Sequence, residues 1–136
     1  MALGQMLLDT DILSAIMRQN PAVLPKARAY LDDHQQFTLS IITRFEILRG
    51  LKAKNATRQL QRFDVFCARS LILPLTDEII VKAADIYGDL HRLGALIGDA
   101  DILIAAFTMV NSWGVVTNNE DHFGRVDGLQ IDNWLK

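Results

Sequence analysis

Five carboxylates of this 136-residue chain fall at three places, each at the edge of an apolar run: Asp9 and Asp11 in LLDTDIL, Glu46 in ITRFEILRGL, and Asp99 and Asp101 in GDADILIAA. Acids that border buried strands and helices need something to offset their desolvation. Two unit charges ~4 Å apart repel by about 4 kcal/mol at an effective dielectric of roughly 20, so a gathering of four or five calls for a cation. The pattern points to a metal site. Oxygen donors select a hard ion, Mg²⁺ or Mn²⁺. Zinc would want thiolates or paired histidines, and the chain has one cysteine and three histidines without ligand spacing.

The elements that must bring these acids together can be read from periodicity. Met6-Leu7-Leu8 predicts a short buried strand, with Asp9-Thr10-Asp11 where it stops and a helix through Ile12 to Met17 begins. Asn20-Pro21 breaks that helix, and Pro21 suits the first position of the next, Ala22 to Leu31. A strand follows at Phe37 to Leu39. Ser40 caps a helix from Ile42 to Leu51 whose inner face is Ile42, Phe45, Leu48 and Leu51, with Glu46 beside it. Asn55 or Thr57 opens a helix to about Arg69, with Leu60, Phe63 and Cys67 inward.

Ile72 to Leu75 reads as a third strand. Thr76-Asp77-Glu78 starts a helix with acid in its first turn, and Ile80, Ala83, Ala84, Tyr87 and Leu90 are its expected inner face. Gly94 and Gly98 bracket a loop. The helix from Asp99 to Val110 is apolar almost all round and so belongs inside the fold. Val115 to Thr117 and Leu129 to Ile131 complete the strands. Short apolar strands alternating with helices predict an α/β fold: a three-layer α/β/α sandwich with a mainly parallel central sheet of four or five strands. Ligands bind at the carboxyl ends of such strands. Asp9, Asp11 and the turn from Thr117 to Asn119 sit at those ends.

Composition bounds the rest. Half of the residues are hydrophobic, enough for a substantial core, and one domain over residues 1–136 is expected. No apolar stretch approaches a membrane span and the first eight residues are too short for a secretory signal, so no membrane role is expected. Cys67 is the sole cysteine, which suits a reducing cytoplasm. The net charge of −2 hides an asymmetry: residues 44–69 hold seven basic side chains against Glu46 and Asp64. That strip is either a solvated helical face or a contact for a polyanion.

Each residue also has a plainer role open to it. Asp11 and Asp99 can be helix N-caps, Glu46 a solvated helix residue, and Arg44 and Arg49 surface decoration. His34, His91 and His122 are expected to be structural or exposed. Trp113, Trp134 and Cys67 are expected to pack.

Taken together, LLDTDILS, SIITRFEILRG, IGDADILIAA, VVTNNEDHF and GLQIDNW, in that order, resemble the PIN-domain nucleases, and among them most of all the VapC-type toxins of toxin–antitoxin pairs. The resemblance spans essentially the whole chain. It implies a metal-dependent endoribonuclease in which Asp9, Glu46 and Asp101 are catalytic, with Mg²⁺ or Mn²⁺ held by Asp9, Asp101, Glu46, the auxiliary Asp99 and Asn119. Asn119 stands where the family often has Asp, and a neutral amide coordinates more weakly, which leaves open one ion or two. Asp121 could replace it only if its loop turns inward. His122 stands where an acid is usual. Thr10, Asp11, Ser14 and Thr117 would support the metal ligands. Arg44, Arg49, Lys52 and Arg58 would contact RNA phosphates. The resemblance further implies a small antitoxin bound across the acidic groove and a homodimer.

Two other readings compete. A strand followed by DTD and a later GDAD also resembles haloacid-dehalogenase-type phosphatases, with Asp9 as nucleophile. That reading leaves Glu46 without a task, and the lysine it needs ahead of the last acidic motif has a sole candidate between Leu71 and Asp99, Lys82 in mid-helix. The other is a module of the same fold that binds RNA or protein without activity, for which Asn119 is the best support.

Overall fold

The computed structural model describes residues 4–136. In chain order the elements are β1 (Met6–Leu8), α1 (Thr10–Met17), α2 (Leu24–His34), β2 (Thr38–Ser40), α3 (Ile41–Ala53), α4 (Thr57–Ala68), β3 (Leu71–Leu73), α5 (Asp77–Arg92), α6 (Asp99–Val110), β4 (Gly114–Val116), α7 (Glu120–Phe123) and β5 (Gln130–Asp132). The strands form one parallel sheet in the order β3-β2-β1-β4-β5. The chain winds outward from β1 to β3, then returns to place β4 on the other side of β1. The reversal makes a switch point at the carboxyl ends of β1 and β4.

Strand alternation sorts the core. Leu7 and Val115 face α5 and α6, meeting Ile79, Ile86, Leu90, Ile104 and Phe107. Their neighbours Leu8 and Val116 face the opposite way, onto Ile12, Ala15, Val23, Ala27, Tyr30 and Trp134. A third apolar group joins Leu13, Leu39, Ile47, Phe63 and Cys67, so α4 covers the same face as α1 and α2 toward the β3 edge. Helix α3 touches α1 and α4 on one side and α6 on the other. It thereby hangs Glu46 over the site end of the sheet.

Several expected details differ. Pro21 lies in a turn ahead of α2, and Pro25 takes the early helical position instead. The buried stripe of α5 is Ile79, Ala83, Ile86 and Leu90, leaving Ile80 and Tyr87 44% and 45% exposed. Ile79, Ile80 and Val81 are apolar in succession, so two helical stripes are equally regular and packing against α6 decides between them. In α3 the buried positions are Thr43 and Ile47, while Phe45 is exposed beneath the Arg49 guanidinium, 5.2 Å from its ring centre. The single turn α7 is unanticipated. The cap at Ser40 and the helix start at Thr76-Asp77-Glu78 are as expected, and the Ser40 and Thr76 hydroxyls accept from the Thr43 and Ile79 amides. Among the described residues no helix is long and apolar enough to cross a membrane.

Candidate active site

Asp9 sits where β1 ends and caps α1. Its Oδ1 accepts from the Thr10 amide at 2.8 Å, and its own amide donates to the Val116 carbonyl at 2.9 Å, continuing the β1–β4 ladder by one residue. Across the switch point, the Thr117 hydroxyl at the end of β4 donates to Asp9 Oδ2 at 2.8 Å. Both residues are buried, Asp9 to 6% exposure. Burial pushes the Asp9 carboxyl up to about 7, the negative charge of Asp11 adds to that effect and that of Asp101 adds a little more, while the bonds from Thr117 and Thr10 oppose it.

Glu46 is tied to the same spot through Thr10, whose hydroxyl donates to Glu46 Oε1 at 2.7 Å and lies 3.5 Å from the Thr43 hydroxyl. Thr10 thus links two of the acids, its amide to Asp9 and its hydroxyl to Glu46. On the far side of Glu46, Arg49 lies 3.8 Å from Oε2. Asp11, in the first turn of α1, accepts from the Asn118 amide at 3.1 Å through Oδ2, whereas its Oδ1 is buried without a partner among the described residues. Burial raises the Asp11 carboxyl as well, with Asp101 contributing.

Asp101, in the first turn of α6, faces the turn after β4. Its Oδ2 lies 3.3 Å from Asn119 Nδ2 and 3.1 Å from His122 Nδ1, and those two nitrogens are 2.9 Å apart. The Asn119 amide donates to the Thr117 hydroxyl at 2.9 Å, so one hydroxyl orders both Asp9 and the Asn119 turn. Sequence reasoning left His122 without a role. The available signal was the i, i+3 spacing of Asn119 and His122 just beyond a strand, which puts both on one side of a helical turn.

The remaining expected residues scatter. Asp99 is exposed and lines a groove with Ile80, Tyr87 and Leu103 on the α5 side. Its position two residues before Asp101 turns it about 200° around the α6 axis, which explains the separation. Ser14 lies one turn beyond Thr10 on α1, and its hydroxyl makes no hydrogen bond to the acids among the described residues. Asp121 does not turn inward: it is exposed and pairs with Arg125 at 3.0 Å. Arg44 is not free for phosphate, because its guanidinium lies over the Phe63 ring at 5.8 Å and beside the Cys67 thiol in the α3–α4 contact. Two positions before Glu46 on a helix is nearly the opposite face. Arg49, Lys52 and Arg58 are exposed, and only Arg49 adjoins the acids. Lys82 lines a pocket with Asp85, Asp89 and Arg125 that includes none of Asp9, Thr10, Glu46 or Asp101, which counts against the lysine that a phosphatase would need.

The donor set fits a hard divalent cation in an open site. Asp11 Oδ1 is buried and unpartnered, and the acids raise one another's proton affinity, both of which a positive ion would relieve. Among the described residues no three acidic, histidine or cysteine side chains close around a point unaided. Mg²⁺ characteristically keeps several waters and takes only one or two carboxylates, completing its shell with substrate phosphate.

A parallel sheet that gathers acids at its switch point is matched by the family model described as PIN domain over residues 6–129, and the chain belongs to that family. Its relatives there carry the VapC name: it is 26% identical to ribonuclease VapC2 of Rickettsia felis, covering 96% of this chain and 98% of that one. Identity is 35% to ribonuclease VapC1 of Methanocaldococcus jannaschii, over 68% of each. Among solved structures, DNA-bound VapBC from Salmonella typhimurium superposes with a TM-score of 0.85 at 25% identity, covering 97% of this chain and 99% of that one.

Proposed function

We propose that this protein is a Mg²⁺- or Mn²⁺-dependent endoribonuclease, the toxin of a toxin–antitoxin pair. The observation that carries the reading is the network through Thr10, Thr117 and Asn119, which links Asp9 at the end of β1, Glu46 within α3 and Asp101 in the first turn of α6. Membership of the PIN family and likeness to proteins named ribonuclease VapC support RNA as substrate.

Asp9 and Asp101 would hold the ion, with Asp11 Oδ1 the free oxygen beside them. When bound, the ion supplies Lewis acidity: it lowers the pKa of a water and neutralises charge building on the phosphate. The chain's own residues set the geometry. Thr117 and the Thr10 amide fix both oxygens of Asp9. Thr10 holds Glu46 by one oxygen, leaving Oε2 toward Arg49 to orient a water or accept its proton. Arg49 offers positive charge beside the acids, and the exposed Lys52 and Arg58 on α3 and α4 would extend it to a phosphate backbone. A VapB-type partner is supported by the likeness to the VapBC complex, and it would dock across the acidic groove. A homodimer and a cytoplasmic setting complete the proposal, the latter on the strength of a lone buried thiol.

The test is cleavage of total cellular RNA by the purified protein with mapped ends. Cutting that requires Mg²⁺ or Mn²⁺, stops with EDTA and leaves a 5′-phosphate and a 3′-hydroxyl supports the reading. Phosphate release through an adduct on Asp9, or no cutting with either metal, overturns it.

A further inference from the structure

The corner of the site made by Asp101, Asn119 and His122 contains one residue, His122, to which the family reading gives no task. Three polar atoms form a nearly equilateral triangle: Asp101 Oδ2 to His122 Nδ1 is 3.1 Å, Asp101 Oδ2 to Asn119 Nδ2 is 3.3 Å, and Asn119 Nδ2 to His122 Nδ1 is 2.9 Å. Ligands on adjacent corners of an octahedral ion bound at ~2.1 Å stand about 3.0 Å apart. The triangle has the edges of one octahedral face. Half a turn of the Asn119 amide, whose two ends are interchangeable by assignment, exchanges Nδ2 for the oxygen that an ion would take.

In the apo state the carboxylate holds this corner together: Asp101 Oδ2 accepts from Asn119 Nδ2 and, in the tautomer that carries its proton there, from His122 Nδ1. With the proton on Nε2 and the Asn119 amide turned, the same three groups present three lone pairs to one point, which a cation would engage together. The side chains are also reachable from solvent, His122 being 41% and Asp101 22% exposed.

We infer that His122 is a metal ligand, and that with Asp101 and Asn119 it makes a facial nitrogen–oxygen set that favours Mn²⁺ over Mg²⁺. The inference rests on the metal-dependent reading above and deepens it. Where an acid would give the ion a third hard oxygen, this chain gives it an imidazole and a neutral amide. Fewer negative charges weaken the hold on Mg²⁺, a hard ion that takes oxygen and dehydrates reluctantly, while the softer Mn²⁺ accepts an imidazole nitrogen at less cost.

Pulsed electron paramagnetic resonance of the Mn²⁺-loaded full chain tests this without reference to activity. Directly ligated imidazole should give a ¹⁴N modulation that persists in His34→Ala and His91→Ala and disappears in His122→Ala. Competition of Mg²⁺ against bound Mn²⁺ supplies the second readout. The preference for Mn²⁺ should fall by about tenfold in His122→Asp, in line with what a single change in a ligand shell costs. Mn²⁺ that binds without ¹⁴N modulation, or a preference unchanged in His122→Asp, overturns the role of His122 alone. Absence of any Mn²⁺ binding, with cleavage indifferent to EDTA, overturns the metal-dependent reading and this inference together.

Discussion

The hydroxyl of Thr117 donates to Asp9 Oδ2 at 2.8 Å across 108 positions of sequence, joining the ends of two adjacent central strands. It also accepts from the Asn119 amide, so one buried oxygen sets the orientation of the deepest acid and of the turn that faces Asp101. Thr117→Val keeps the volume and removes both bonds. Cleavage should fall by about ten- to a hundredfold, the range for losing a partner that orients a metal ligand. Thr117→Ser should restore most of it, and steady-state cleavage rates of the two variants make the comparison.

Metal-free stability should decline as pH rises. Asp9 is raised from 3.8 to about 7, so between those values the folded state holds a proton that the unfolded chain has released. Stability from this group is therefore complete below about pH 4 and is lost progressively toward pH 7, by at most about 4 kcal/mol. Asp11 is raised in the same direction and adds to the slope. Urea denaturation in EDTA at pH 5 and pH 8 measures the difference, and Asp9→Asn should flatten it. Added Mn²⁺ should stabilise more at pH 8 than at pH 5, because only the ionised carboxylates bind it.

Asp9→Asn and Asp101→Asn should abolish cleavage while leaving the metal-free melting temperature unchanged or higher. Removing one of several like charges relieves repulsion in the apo site. A melting temperature lowered by several degrees would mean that the acids support the fold and not the chemistry.

Arg44 and Arg49 should behave as opposites despite lying five positions apart. Arg49→Ala, combined with Arg58→Ala, should weaken RNA binding and lower the slope of log affinity against log salt by about 0.7 for each phosphate no longer neutralised. Arg44→Ala should leave that slope alone and cost stability, about 1 kcal/mol, because its stem and guanidinium no longer cover Phe63. Filter binding at several salt concentrations and thermal melts separate the two.

Much of the frame is legible in the sequence because burial on both faces demands it. Leu7-Leu8 and Val115-Val116 can only be interior strands, and an acid just beyond the first is therefore at a carboxyl end. The cap at Ser40 and the helix start at Thr76-Asp77-Glu78 follow from side-chain chemistry alone. What escapes is phase and short-range turning. Ile79, Ile80 and Val81 offer two inner faces for α5, and only contact with α6 selects one. Phe45 looks like core, yet it stands exposed with the Arg49 guanidinium over one face of its ring. His122 escapes because a single turn of four residues carries no periodicity, and because its partner Asp101 lies 21 positions away.

The order of the sheet has a consequence for how such a chain is made. The site draws on residue 9 and on residues 117 to 122, and the strand that leads to Thr117 is itself flanked by β5. A nascent polypeptide still lacking β4 has neither Thr117 to hold Asp9 nor Asn119 and His122 to face Asp101. Any nuclease activity is thereby deferred until synthesis has passed β4 and the turn that follows it.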